Sequence, residues 1–205
     1  MSDSTIEGMI GGVLSARKKV TVRDQSLMPA AVLLLMYPKD GKYCILLQKR
    51  TDGVEHHKGE ISLPGGSKDP EDRDFLDTAL REVHEEMGIR PEDVTVLGDL
   101  DDVVTRTQFG IRVFVGTIPY PYPFKPSPVE IAEVLEVPVV ELMSPANRRE
   151  EARWVDGRVS KAYSYAYKEH LIFGATAQIV TQFLELLPGT LELSHSERRS
   201  DSPES

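Results

Sequence analysis

The segment Arg81-Glu82-Val83-His84-Glu85-Glu86-Met87-Gly88-Ile89 constrains this chain most, because it sets three carboxylates on about one helical turn and then stops with glycine. At about 100° per residue, Glu82, Glu85 and Glu86 fall at i, i+3 and i+4 on one flank. Leu76, Leu80, Val83 and Met87 line a separate apolar stripe, so the expectation is a helix whose carboxylates face away from the core. Asp74 is placed to cap its start, Asp77 lies in the first turn, and Gly88 stands where a left-handed residue ends a helix. Like charges at i,i+4 cost a helix roughly a few tenths of a kcal/mol each, which bound cations would offset. Arg81, four residues before Glu85, can hold that carboxylate in place. Taken alone, the cluster also fits a solvated acidic face with an ordinary cap.

The wider spacing resembles that of the Nudix hydrolases, whose box reads Gly-x5-Glu-x7-Arg-Glu-U-x-Glu-Glu-x-Gly-U, with U aliphatic. Arg81 to Ile89 matches the second half at every fixed position. In the first half, 14 residues separate Gly66 from Arg81, one more than the general box has, and Asp72 stands sixth after Gly66 in place of glutamate. Glu71 takes that place if Gly65 opens the box. The longer form is similar to the coenzyme A diphosphatase branch, carried here by Gly65-Gly66-Ser67-Lys68-Asp69-Pro70-Glu71-Asp72 and Thr78-Ala79-Leu80-Arg81-Glu82. Upstream, Leu46-Leu47-Gln48-Lys49-Arg50-Thr51 and Leu63-Pro64-Gly65-Gly66 resemble the branch's Leu-Leu-Thr-x-Arg-Ser and Phe-Pro-Gly-Gly. Gln48 replaces the threonine, Leu63 the phenylalanine, and Glu55 stands where the branch has an arginine. Near the end, Phe173-Gly174-Ala175-Thr176-Ala177 resembles the branch's Trp-Gly-Ala-Thr-Ala.

The resemblance spans roughly residues 28–187 and implies an α/β fold, a Nudix-type α/β/α sandwich with a mixed β-sheet. It implies metal-assisted attack of water on a diphosphate, with Mg²⁺ favoured and Mn²⁺ able to substitute. Glu82 and Glu86 would be direct ligands, joined by the backbone carbonyl of Gly65 or Gly66. Glu85 would bind a further metal or, oriented by Arg81, tune the first. Glu130 and Glu133 are candidate general bases beside a structural reading of each, with Glu86 as a third. Lys49, Arg50, Lys58 and Arg112 are candidate phosphate contacts, or ordinary surface charges. The leading substrate is coenzyme A or acyl-CoA, split to 3′,5′-ADP and (acyl-)4′-phosphopantetheine. The alternatives are the same chemistry on ADP-ribose, NADH or a nucleotide sugar, and a non-catalytic nucleotide-binding regulator. A regulator could shed metal ligands, whereas all three glutamates and Arg81 are present.

With 205 residues, 40% hydrophobic and 28% charged, the chain can bury one good-sized core. A net charge of −9 argues against a nucleic-acid or membrane-surface binder, since phosphate backbones and anionic headgroups need a basic face. The sole cysteine, Cys44, lies in an apolar run and reads as a buried strand thiol. No stretch approaches the roughly 18 apolar residues of a membrane span, and the start lacks signal-peptide order, so the expected compartment is the cytoplasm. A homodimer is compatible with all of this.

The expected layout is an N-terminal arm over 1–27, with an amphipathic piece at 6–16, the hydrolase domain over 28–188, and a disordered polar tail over 189–205. Strands are expected at 30–37 and 43–50 around a hairpin turn, then at 94–104, 111–120, 129–137 and 162–167. A helical turn is expected at 140–144 and a helix at 174–187. Residues 120–128 are too proline-rich for either regular element, and their aromatics suit a rigid spacer or a stack on adenine. His56, His57 and His84 lack the paired spacing of a zinc site.

Overall fold

The computed structural model describes residues 5–51, 59–155 and 158–187. In chain order it forms α1 (Ile6–Ala16), β1 (Met28–Lys39), β2 (Lys42–Arg50), β3 (Ile61–Ser62), β4 (Gly65–Ser67) and α2 (Phe75–Met87). There follow β5 (Thr95–Asp99), β6 (Val103–Val104), β7 (Phe109–Thr117), β8 (Ile131–Pro138), α3 (Val139–Met143), β9 (Arg148–Val155), β10 (Arg158–Tyr167), β11 (His170–Ile172) and α4 (Gly174–Leu186).

β1 is apolar at almost every position because both of its faces are covered. Ala31, Leu33, Leu35 and Tyr37 pack with Ala79, Val83 and Met87 of α2. Leu34 and Met36 belong to the opposite core, with Ile10, Leu14, Leu142, Ile179, Val180 and Phe183 from α1, α3 and α4. Asp40 and Gly41, both at positive φ, turn β1 tightly into β2. β1 pairs in parallel with β7 and antiparallel with β2 and β4. The main sheet is therefore mixed, with the order β3-β2-β1-β7-β5 and β8 on β2, and helices lie on both faces. A second, antiparallel sheet has the order β11-β10-β9.

The 94–104 run is not one strand: β5 and β6 are separated at 100–102. Asp101 and Asp102 instead turn their carboxylates to the backbone N–H of Val20 and Val22, tying the segment after α1 to the sheet. Leu14 of α1 packs against Gly98 of β5. The proline-rich loop is a structural spacer, since Tyr120 stacks on Tyr37 at 5.2 Å and Tyr122 and Phe124 join the same core. Cys44 is buried on β2. The tail expected over 189–205, with His56 and His57, lies outside the described residues. No described helix is long and apolar enough to cross a membrane.

Candidate active site

α2 forms where its caps dictate. The Asp74 carboxylate accepts the Asp77 N–H at 2.9 Å, and Gly88, at φ 68°, closes the last turn with its N–H on the His84 carbonyl. The spent carbonyls of Glu86 and Met87 accept the N–H groups of Ser127 and Lys125, which draws the proline-rich loop to this end of the helix.

The expectation that all three carboxylates face outward fails at Glu86, which is 1% exposed. With Ala79, Val83 and Met87 it falls at i, i+4, i+7 and i+8, so it occupies a core position of the helical pattern. Its Oε2 accepts the Gly65 N–H at 2.9 Å and its Oε1 the Arg50 guanidinium at 3.2 Å. Burial pushes the Glu86 carboxyl up to about 7, against the lowering effect of Gln48, Gly65 and Arg50. Burial also raises Glu82, opposed by Arg81, with Glu85 and Glu130 adding repulsion.

Arg81 does more than hold Glu85. One edge of its guanidinium grips Asp72 through Nε at 2.9 Å and Nη2 at 3.1 Å, while Nη1 reaches Glu82 at 2.9 Å and Glu85 at 3.1 Å. Asp72 is fixed in turn by the Thr78 hydroxyl and the Asp69 N–H, and this arginine clamp holds its carboxyl well below the usual range. Sequence reasoning noted Asp72 as a departure and missed this function. Its signal was the longer loop, which brings an acid nine residues before the arginine back beside it.

Gly65 is demanded by space, and Gly66 leaves room for the Glu82 carboxyl. A Cβ on Gly65, at φ 148°, would lie 2.3 Å from the Ala31 carbonyl oxygen, and one on Gly66 would lie 2.5 Å from the Glu82 carboxyl. The Glu82 carboxylate thus rests directly on bare backbone. Carboxylate oxygens beside bare backbone are donors of the type hard divalent cations take, so Glu82, Glu85, Glu86 and the glycine backbone fit such an ion. Arg81 bonds Glu82 and Glu85, and Arg50 bonds Glu86, so each of the three carboxylates has a guanidinium partner. Among the described residues, only Glu133, Glu169 and His170 bring three possible ligand atoms within 4.8 Å of one another.

Strand alternation sorts the remaining candidates. Arg50 and Gln48 share the face of β2 that meets α2, whereas Lys49 projects with Ile45 and Leu47 to the other face. Glu133 pairs with Lys49 in register and lies 3.2 Å from His170, so Lys49 and Glu133 are turned away from the acidic cluster. Glu130 precedes β8, its carbonyl accepts the Thr51 N–H, and its charge bears on Glu82. Arg112 pairs with Asp102 and stacks over Phe75, at the start of α2. That is about 16 Å along the helix from Glu86, at 1.5 Å per residue. Lys58 lies outside the described residues.

Comparison with known proteins fixes the class. The NUDIX domain model matches residues 27–163. An uncharacterized Nudix hydrolase NudL of Photorhabdus laumondii is 35% identical over 156 residues, which cover 76% of this chain and 83% of that protein. The NudL of Yersinia enterocolitica is 32% identical over 145 residues, 69% of this chain and 72% of the relative. A MutT/nudix family protein from Enterococcus faecalis superposes with a TM-score of 0.50 at 12% identity, over 89% of this chain and 70% of that one, which shows the shared fold. The chain belongs to the Nudix family. It is a Nudix hydrolase, a diphosphatase of a class that depends on divalent metal.

Proposed function

We propose that this enzyme hydrolyses the diphosphate of coenzyme A or acyl-CoA to 3′,5′-ADP and (acyl-)4′-phosphopantetheine, in the cytoplasm, with Mg²⁺ and with Mn²⁺ as substitute. The observation that carries the chemistry is Glu86, a carboxylate sealed in the core yet aimed at Gly65 and Arg50. Such burial is costly and is retained where a charge has work to do. The reading of coenzyme A rests on the branch box from Gly65 to Asp72, whose last aspartate grips Arg81.

Glu82, Glu85, Glu86 and the glycine backbone would hold the metal, which would supply charge neutralisation at the phosphate oxygens and a lowered pKa for the attacking water. Arg81 orients Glu82 and Glu85. Arg50, on the α2 face of β2, turns from Glu86 to the phosphate when the substrate is seated. Glu130 is the general base, since of the two candidates its charge bears on Glu82, while Glu133 faces the other side of the sheet beside His170.

Incubation of coenzyme A, acetyl-CoA, ADP-ribose, NADH and a nucleotide sugar with Mg²⁺, with products resolved by chromatography, tests the substrate. Release of 3′,5′-ADP supports the reading; rapid cleavage of ADP-ribose with none of coenzyme A overturns it. Glu86→Gln removes turnover while the circular dichroism spectrum is kept. Turnover persisting in that variant at saturating Mg²⁺ would sink the ligand role.

A further inference from the structure

Among the described residues, four buried side-chain polar atoms lack a hydrogen-bond partner, and three of them are Gln48 Nε2, Gln48 Oε1 and Ser62 Oγ. The fourth, Asp102 Oδ1, has the Lys19 ammonium 3.4 Å away. Gln48 and Ser62 are direct cross-strand partners on β2 and β3, so their side chains stand on the same face. That is the face of Arg50, and Gln48 is 0% exposed. Its amide lies against the Glu86 carboxyl and favours the charged form, yet the approach falls short of hydrogen-bond geometry for either amide atom. A buried amide and hydroxyl left without partners are costly, and here they sit side by side next to a carboxylate already engaged elsewhere.

We propose that Ser62 and Gln48 form a polar brace that closes when Glu86 leaves Arg50 to hold a divalent cation. The Ser62 hydroxyl then donates to Gln48 Oε1, and the Gln48 amide donates to one Glu86 oxygen, leaving the other for the metal. Gln48 is thus a positioning residue. Three orphaned atoms become satisfied together, so brace closure and metal binding reinforce each other. The inference rests on the metal-ligand reading of Glu86.

The test is Mn²⁺ binding to the 205-residue chain without substrate, by calorimetry, together with the Tm of the metal-free form. Gln48→Met keeps length and apolar packing and removes both amide atoms. The metal-free Tm is expected to hold or rise, while Mn²⁺ affinity falls about ten- to a hundredfold. Ser62→Ala weakens Mn²⁺ by a smaller factor, and the double variant binds no worse than Gln48→Met, because both changes break one chain of bonds. Mn²⁺ affinity unchanged in Gln48→Met overturns the brace. Should that variant not fold, Ser62→Ala decides: weakened Mn²⁺ binding supports the brace and unchanged binding overturns it. Absence of Mn²⁺ uptake by the unmodified protein would bring down the ligand reading itself, a failure distinct from that of the brace alone.

Discussion

Asp72 carries the clearest division of labour among single residues. Its two oxygens fix the plane of the guanidinium that holds Glu82 and Glu85. Asp72→Asn keeps the shape and an acceptor for Thr78 but removes the charge opposite Arg81. We expect a loss of about 1–3 kcal/mol, the usual worth of hydrogen bonds to charged groups. For a chain of this size that is a Tm fall on the order of 5 °C, read by scanning calorimetry at neutral pH. Because the Asp72 pKa is lowered on folding, this stabilisation is present above the ordinary carboxylate value of 3.8 and is lost as pH falls below it. An unchanged Tm at neutral pH would show the clamp to be energetically idle.

At the scale of elements, the short β4 and the helix α2 work as one unit. Gly65 meets backbone, which cannot yield, whereas Gly66 meets the far end of the Glu82 side chain, which can. Gly65→Ala should therefore cost about 2–4 kcal/mol through strain and overpacking. Gly66→Ala should leave Tm nearly unchanged and lower kcat by displacing Glu82. Paired thermal melts and steady-state kinetics separate the two; equal stability losses would refute this partition. α2 was readable residue by residue because its caps are local: Asp74 bonds three residues ahead and Gly88 reaches back four. The amphipathic run at 6–16 likewise became α1, with Ile10 and Leu14 buried. β3, β4 and β11 are too short to show a period of two, and β9 carries the run Arg148-Arg149-Glu150-Glu151, with no apolar alternation there.

Across the whole molecule, the buried acids couple metal, protons and stability. In the metal-free protein Glu86 has a folded value near 7 against an ordinary 4.5, so the folded state binds a proton that the unfolded chain gives up between those values. Stability from this group is full below about pH 4.5 and declines as pH rises through 7, by up to ~3 kcal/mol. Metal-free Tm should rise on going from pH 8 to pH 5.5, and Glu86→Gln should flatten that rise. Mn²⁺ should raise Tm more at pH 8 than at pH 6, since protons compete for the same carboxylate. A metal-free melt indifferent to pH, equal to that of Glu86→Gln, would remove the buried-acid account. The sequence alone determined the helix, its caps, the glycine pair and the acids near one another along the chain, because each depends on bonds spanning a few residues. Only the tertiary structure decided that Glu86 is buried, that Arg50 and not Lys49 meets it, and that Glu133 turns to His170 and away from the acidic cluster. Those choices depend on which face of β2 and β8 each side chain takes, and a register break opposite Lys49 and Arg50, set by pairing across some 80 residues, fixes the faces.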